Sequence, residues 1–391
     1  MANFKFLAVA SVAAALLVAC GGGGDGDQSP KVKFTSMVSF GDSLSDVGTY
    51  KVGTVAALGG GTYSVNSATS KNWTQIVAAQ IGVANPCAAR TGLDGDPSQG
   101  FSVPVTTIPG CKNWAQGGSR ITLPVGPGNK LLGPPNDTLG QLTEPLSSQV
   151  SFHLAGATGN KFSGTELVTF LAGANDLFMQ FGALGQLGTG TFAGYTQGVL
   201  GWSGAETTSV NTALAGGAAA AIAVASPIMV AKMALAGTQA ANLIKTQIIA
   251  NGANYVMVIN MPNVARTPFG DTQVSTGLRP LLESMAQAYN TALAAGLSGN
   301  SKVRLGDAYV TSGDQVLNPA QYGISNVTGT ACNLTQPSPN PLGSSLVCNA
   351  GNLNVGDVSK YAFADSVHPT PYGYQLLAQF VSKELVAAGW L

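Results

Sequence analysis

Two rhythms of apolar and polar positions run along the chain. Residues 35–40 (TSMVSF) make a short apolar run that ends at Gly41, and residues 166–172 (ELVTFLA) make another that ends at Gly173. Residues 255–260 (YVMVIN) and 303–307 (VRLGD) complete a set of four. Short apolar runs bounded by turn formers read as buried strands. Between them the spacing lengthens to that of a helix. Residues 238–250 carry such a pattern, and within 281–297 Leu282, Met285, Tyr289 and Leu293 fall on one stripe. Strands alternating with helices predict an α/β fold with a doubly wound parallel sheet, since parallel neighbours need a crossover that a helix can supply. Ligands of such sheets bind beyond the carboxyl ends of the strands.

Three stretches break the alternation and read as insertions into a single domain over residues 34–391. Residues 59–110 are rich in Gly, Ser and Thr, and residues 315–360 are loop-like. The third insertion lies near 203–236, where residues 207–231 hold no charge and are dominated by Ala and Gly. A membrane span is one reading of that run. Its weak hydrophobicity and the Ser226-Pro227 interruption favour a packed helical insertion or lid.

Charge and composition exclude several functions. Lys+Arg and Asp+Glu number 18 each, and charged residues make up only 9% of the 391. No basic run occurs, so nucleic acid is not an expected partner. Five cysteines without a C-x-x-C pair and two histidines offer little to a metal, and no cofactor is expected. Hydrophobic residues at 45% supply a substantial core.

Residues 1–19 read as an export signal. Lys5 supplies a positive start, and residues 6–17 are an apolar stretch too short for an ordinary membrane span. Leu17-Val18-Ala19-Cys20 resembles a bacterial lipobox. That resemblance implies cleavage before Cys20, acylation of its thiol and a lipid anchor in a membrane. Residues 20–33, which open GGGGDGDQSP after the cysteine, would form a flexible tether. Gly21 stands where an Asp favours inner-membrane retention, which points to the outer membrane. An ordinary secretory signal is the alternative. Either reading puts the body outside the bacterial cytoplasm.

Export changes how the cysteines read. Cys87, Cys111, Cys332 and Cys348 are an even set once Cys20 is set aside, and an oxidising compartment favours pairing. Four cysteines allow three connectivities. The local one, Cys87 with Cys111 and Cys332 with Cys348, closes loops in two Gly/Pro-rich regions with little apolar periodicity. Four buried thiols are the alternative.

Four polar motifs carry the candidate chemistry. Gly41-Asp42-Ser43-Leu44, followed by Ser45-Asp46, presents a serine directly after the first strand. Asn113-Trp114-Ala115-Gln116-Gly117-Gly118 has glycines whose N–H groups can approach a ligand. Gly173-Ala174-Asn175-Asp176 follows the second strand, and Asp365-Ser366-Val367-His368 spaces a carboxylate three residues from an imidazole. Alone, each also reads as a cap or loop. In this order they resemble the GDSL, or SGNH, hydrolase family, as do residues 248–268 and 318–332, and the likeness extends from residue 37 to about 385.

The resemblance implies a flavodoxin-like three-layer α/β/α sandwich around a five-stranded parallel sheet. It makes Ser43 the nucleophile, His368 the general base and Asp365 the group that orients it. The oxyanion hole falls to the Ser43 N–H, the Asn175 amide and a glycine N–H, with Gly118 preferred over Gly117 by counting from Asn113. A serine hydroxyl needs such a base, and an imidazole with a reference pKa of about 6.5 can take and return its proton near neutrality. His153, the other imidazole, lies in SSQVSFHLAG before the second strand and is assigned to packing. The expected activity is hydrolysis of small-molecule or lipid acyl esters. A carbohydrate O-acetyl esterase is the nearest alternative, and a non-catalytic surface-binding lipoprotein is the alternative of another class.

Overall fold

Alternation along the strands sorts the core into two layers. The computed structural model describes residues 31–337 and 339–391. The expected signal at 1–19, Cys20 and the tether up to residue 30 lie outside the described residues. Within them the strands are β1 (Ser36–Gly41), β2 (Arg90–Asp94), β3 (Ser102–Thr107), β4 (Glu166–Leu171), β5 (Tyr255–Ile259), β6 (Val303–Gly306), β7 (Asn326–Thr330) and β8 (Tyr361–Phe363). The central sheet has the order β1-β4-β5-β6 and is parallel throughout, with Ser39, Thr169, Met257 and Arg304 in register.

Successive side chains of a strand point to opposite faces. Val38, Phe40, Val168, Phe170, Val256 and Val258 form one core with the helices Leu146–Gly156, Ala174–Gly182, Ala218–Leu243 and Arg279–Leu297. Met37, Leu167, Leu171, Met257 and Ile259 form the other, with Trp73–Gln80 and Pro371–Ala387. Burying each such side chain contributes roughly 1.5–3 kcal/mol. The result is the three-layer sandwich.

The sheet holds four regular strands where the resemblance implies five. The fifth place, beside β1, is filled by residues 112–116. Ser39 N–H donates to Lys112 O at 3.0 Å, Trp114 N–H to Ser39 O at 2.8 Å and Gln116 N–H to Gly41 O at 3.2 Å. A side chain interrupts this ladder. Gly41 N–H donates to Gln149 Oε1 at 3.0 Å, and Gln149 Nε2 donates to Gly41 O at 2.9 Å. The segment therefore lies in strand position without becoming a regular strand.

Residues 207–231 run from the helix Gly204–Ala213 into Ala218–Leu243, which continues as a π-helical turn, Ile244–Ile249. By length and composition the joined helix could cross a membrane. Here it covers the sheet and lies along Arg279–Leu297. The other two irregular stretches interlock over one end of the sheet. Asn66 N–H donates to Cys348 O at 2.7 Å, Gly61 N–H to Leu346 O at 2.9 Å and Asn349 Nδ2 to Leu58 O at 2.9 Å. Tyr50, Tyr63, Leu93 and Phe101 pack with Leu346 and Val347 in a small core of their own. Disulfides join Cys87 to Cys111 and Cys332 to Cys348. Such crosslinks stabilise by roughly 2–4 kcal/mol each.

Candidate active site

β1 ends at Gly41, two residues before Ser43. Gly41 is required by crowding, since a Cβ there would stand 2.6 Å from Leu171 O in β4. The following turn is held by two carboxylates. Asp42 O accepts the N–H of Ser45 at 3.0 Å and of Asp46 at 3.1 Å, while Asp42 Oδ1 accepts that of Leu44 at 3.0 Å. Burial pushes the Asp42 carboxyl up to about 7, against the opposing effect of the Leu44 N–H and the charge of His368. Asp46 Oδ1 accepts from Gly48 and Thr49, both at 2.8 Å, and its Oδ2 accepts from Gly117 N–H at 3.0 Å. Asp46 thereby ties the serine loop to the glycine pair of the second motif.

The loop between β8 and Pro371–Ala387 carries Asp365 and His368. Asp365 Oδ1 accepts the N–H groups of Val367 at 2.9 Å and His368 at 2.8 Å, which folds the loop back on its own carboxylate. His368 Nδ1 lies 2.7 Å from Asp365 Oδ2, and His368 Nε2 lies 2.8 Å from Ser43 Oγ. A carboxylate at Nδ1 assigns the proton to that nitrogen, so Nε2 offers its lone pair to the Ser43 hydroxyl. Burial alone would raise the Asp365 carboxyl. The charge of His368 and hydrogen bonds from His368, Ser345 and Val367 outweigh it and hold Asp365 well below the usual carboxylate range.

Ser43, Asn175 and His368 line one open cleft, with Leu44, Phe178 and Val367 among its walls. Asn175 sits in the first turn of Ala174–Gly182 and donates from Nδ2 to Ser119 O at 2.9 Å. The amide has a second Nδ2 hydrogen to offer. The N–H groups of Ser43 and Gly118 meet no protein acceptor among the described residues, whereas that of Gly117 is engaged by Asp46. Gly118 takes φ 80°, and a Cβ there would meet Pro127 O at 2.3 Å. Gly118 does not itself line the cleft; it adjoins it through Ser119. Asp176 locks the third motif to the chain beyond the second, accepting from Arg120 Nε at 3.1 Å and Ile121 N–H at 2.9 Å.

Two residues that touch the His368–Asp365 pair have no local sequence signal. The ring of Tyr63 lies 4.8 Å from the imidazole at a tilt of 33°, and its hydroxyl donates to Gln141 Oε1 at 2.6 Å. Ser345 N–H donates to Asp365 Oδ2 at 3.3 Å. Both residues belong to the interlocked irregular stretches. His153 is placed elsewhere, on Leu146–Gly156, where its Nδ1 accepts from Trp114 Nε1 at 3.2 Å and burial lowers its pKa to about 4. No cluster of three or more His, Cys, Asp or Glu side chains fit to hold a metal occurs among the described residues.

A family model described as GDSL-like lipase/acylhydrolase matches residues 37–381. Two relatives, both GDSL esterase/lipases of Arabidopsis thaliana, align at 32% identity over 84 residues and 33% over 85. Each alignment spans 22% of this chain and 22% of the relative, so the chain matches about a fifth of the length of either.

Proposed function

The chain belongs to the GDSL-like lipase/acylhydrolase family, and from that membership we propose that it is an exported serine carboxylic-ester hydrolase working through an acyl-enzyme. The observation that carries the reading is the run of short hydrogen bonds from Ser43 Oγ through His368 to Asp365. His368 Nε2 removes the hydroxyl proton as Ser43 Oγ attacks the ester carbonyl carbon. The carbonyl oxygen becomes an oxyanion, met by the N–H groups of Ser43 and Gly118 and the second amide hydrogen of Asn175. Asp365 stays ionised and steadies the imidazolium. As the tetrahedral species collapses, the C–O bond to the alcohol breaks and His368 returns the proton to the leaving oxygen. Water then attacks the acyl-Ser43 carbonyl by the same route, releasing the acid and restoring the serine.

Treatment with a fluorophosphonate, followed by peptide mapping, tests the assignment. The adduct should fall on Ser43, and Ser43→Ala should abolish both labelling and ester hydrolysis. Label on another serine, with Ser43→Ala still active, rejects it. Residues 1–19 are proposed to direct export and Cys20 to carry the lipid anchor, supported by the lipobox-like LVAC. Cys20→Ser should then move the protein from membrane to soluble fractions. A wild type that is already soluble and carries no diacylglycerol rejects the anchor.

A further inference from the structure

On the serine-esterase reading above, we infer that Tyr63 is a positioning residue: its ring backs the His368 imidazole and stabilises the imidazolium that forms as Ser43 attacks. The two ring centroids lie 4.8 Å apart, with the planes tilted by 33°. Tyr63 is buried and does not line the cleft of Ser43, Asn175 and His368, so it bears on the reaction only through His368. Burial above all, then neighbouring Tyr50, Asp46 and Asp365, holds its hydroxyl well above the usual phenol range, which keeps the ring neutral. The fold makes room for this ring. A Cβ at Gly117 would stand 2.1 Å from the Tyr63 hydroxyl oxygen and 2.4 Å from its ring carbons. The backbone around Tyr63 is tied to both reacting groups. The Tyr374 hydroxyl donates to Tyr63 O at 3.1 Å and stands 3.4 Å from Ser43 O, and Ser64 Oγ donates to Pro369 O, one residue beyond His368, at 2.9 Å.

Geometry and charge give the ring two effects. Asp365 grips the imidazole at Nδ1, along one edge. A bond at one edge leaves the ring free to swing about it, whereas a flat neighbour against one face does not. The face of an aromatic ring also attracts a cation held within about 6 Å of its centre, and does so more strongly where water is excluded. His368 becomes a cation by taking the Ser43 proton, as the oxyanion forms. Tyr63 therefore favours the tetrahedral state over the bound ester. The charged groups that act on the same imidazolium are Asp365 at Nδ1 and Asp42 in the serine turn. Replacing the Tyr63 ring removes neither of them.

The pH dependence of kcat/KM for p-nitrophenyl acetate and butanoate tests this role in the wild type, Tyr63→Phe and Tyr63→Leu. Its acid limb reports the protonation of the essential base in the free enzyme. Its position does not depend on how much of a variant is folded. Tyr63→Phe keeps the ring and loses only the bond to Gln141, so its limb should coincide with that of the wild type. Tyr63→Leu removes the ring, and its limb should move to lower pH by about half a unit to one unit. Its kcat should fall about threefold to tenfold, with KM nearly unchanged. Water entering the vacated space would favour the imidazolium and move the limb the other way. If Tyr63→Leu does not fold, Tyr63→Met serves with the same expectation. A limb that stays in place or moves to higher pH when the ring is removed overturns the role of Tyr63 alone, even where kcat falls. So does an equal shift in Tyr63→Phe, which would trace the effect to the hydroxyl. A wild type that hydrolyses neither ester overturns the esterase reading and this role with it.

Discussion

Ser345 N–H donates to Asp365 Oδ2, 20 residues along the chain, at 3.3 Å. An irregular segment thus supports the carboxylate that holds His368. Ser345 is the first residue of the short 3₁₀ turn Ser345–Val347, and Ser344 before it is extended at φ −135°, ψ 147°. Proline is tolerated at a first helical position and prefers an extended residue before it. Ser345→Pro therefore deletes this N–H with little demand on the backbone. A hydrogen bond to a charged group is worth about 1.5–3 kcal/mol. If most of that is lost from the imidazolium-bearing transition state, kcat should fall about tenfold or more; the folded ground state loses the same bond, so melting should fall as well and is measured alongside. Steady-state kinetics on the folded variant decide the matter. Turnover at the wild-type rate removes Ser345 from the support of the site.

Asn175→Ala separates a structural amide from an oxyanion donor. Losing the bond to Ser119 O costs about 0.5–1.5 kcal/mol of stability in either case. A donor aimed at the oxyanion acts mainly on the transition state, where the oxygen carries most charge. Its removal should lower kcat about 10²–10³-fold with a much smaller change in KM. A kcat within about threefold of wild type would show that Asn175 only braces the turn.

Asp42 gives stability a pH dependence of definite sign. Its carboxyl titrates near 7 in the folded protein, raised from 3.8 mainly by burial. Between those values the folded protein keeps a proton that the unfolded chain has released. Stability from this group is thus complete below about pH 4 and is lost as pH rises towards 7, by up to about 1.4 kcal/mol per pH unit. Asp42→Asn cannot titrate, while its Oδ1 can still accept from Leu44 N–H. Urea unfolding at pH 5, 6 and 7 should show a shallower decline in the variant. Equal slopes in the two proteins reject the assignment.

The four strands of the sheet were legible because each is a compact apolar run in which alternate residues face different cores. Within Ala218–Leu243 the helical spacing was legible only from residue 238, although the uncharged run 207–231 already favoured a packed helical insertion. The buried positions Ala221, Ala225, Met229, Met233 and Gly237 recur every four residues, but most are too small to show as an apolar stripe. Ser43, Asn175, Asp365 and His368 stood out because each sits in a short motif after a strand or in a turn. Tyr63 and Ser345 carry no such mark. Each reaches the site from an irregular stretch, and tertiary packing alone selects it. The missing fifth strand has a similar cause, since the residue that interrupts its ladder, Gln149, lies on a distant helix.

Ser43 and His368 stand 325 positions apart in the chain. Contacts so remote in sequence form late, because long loops must close before they are rewarded. A chain with β1, β4 and β5 already docked still lacks its base until the last loop and helix settle onto them. Activity therefore reports completed folding more sharply than helix content does. During refolding, recovery of turnover should lag behind recovery of far-ultraviolet circular dichroism.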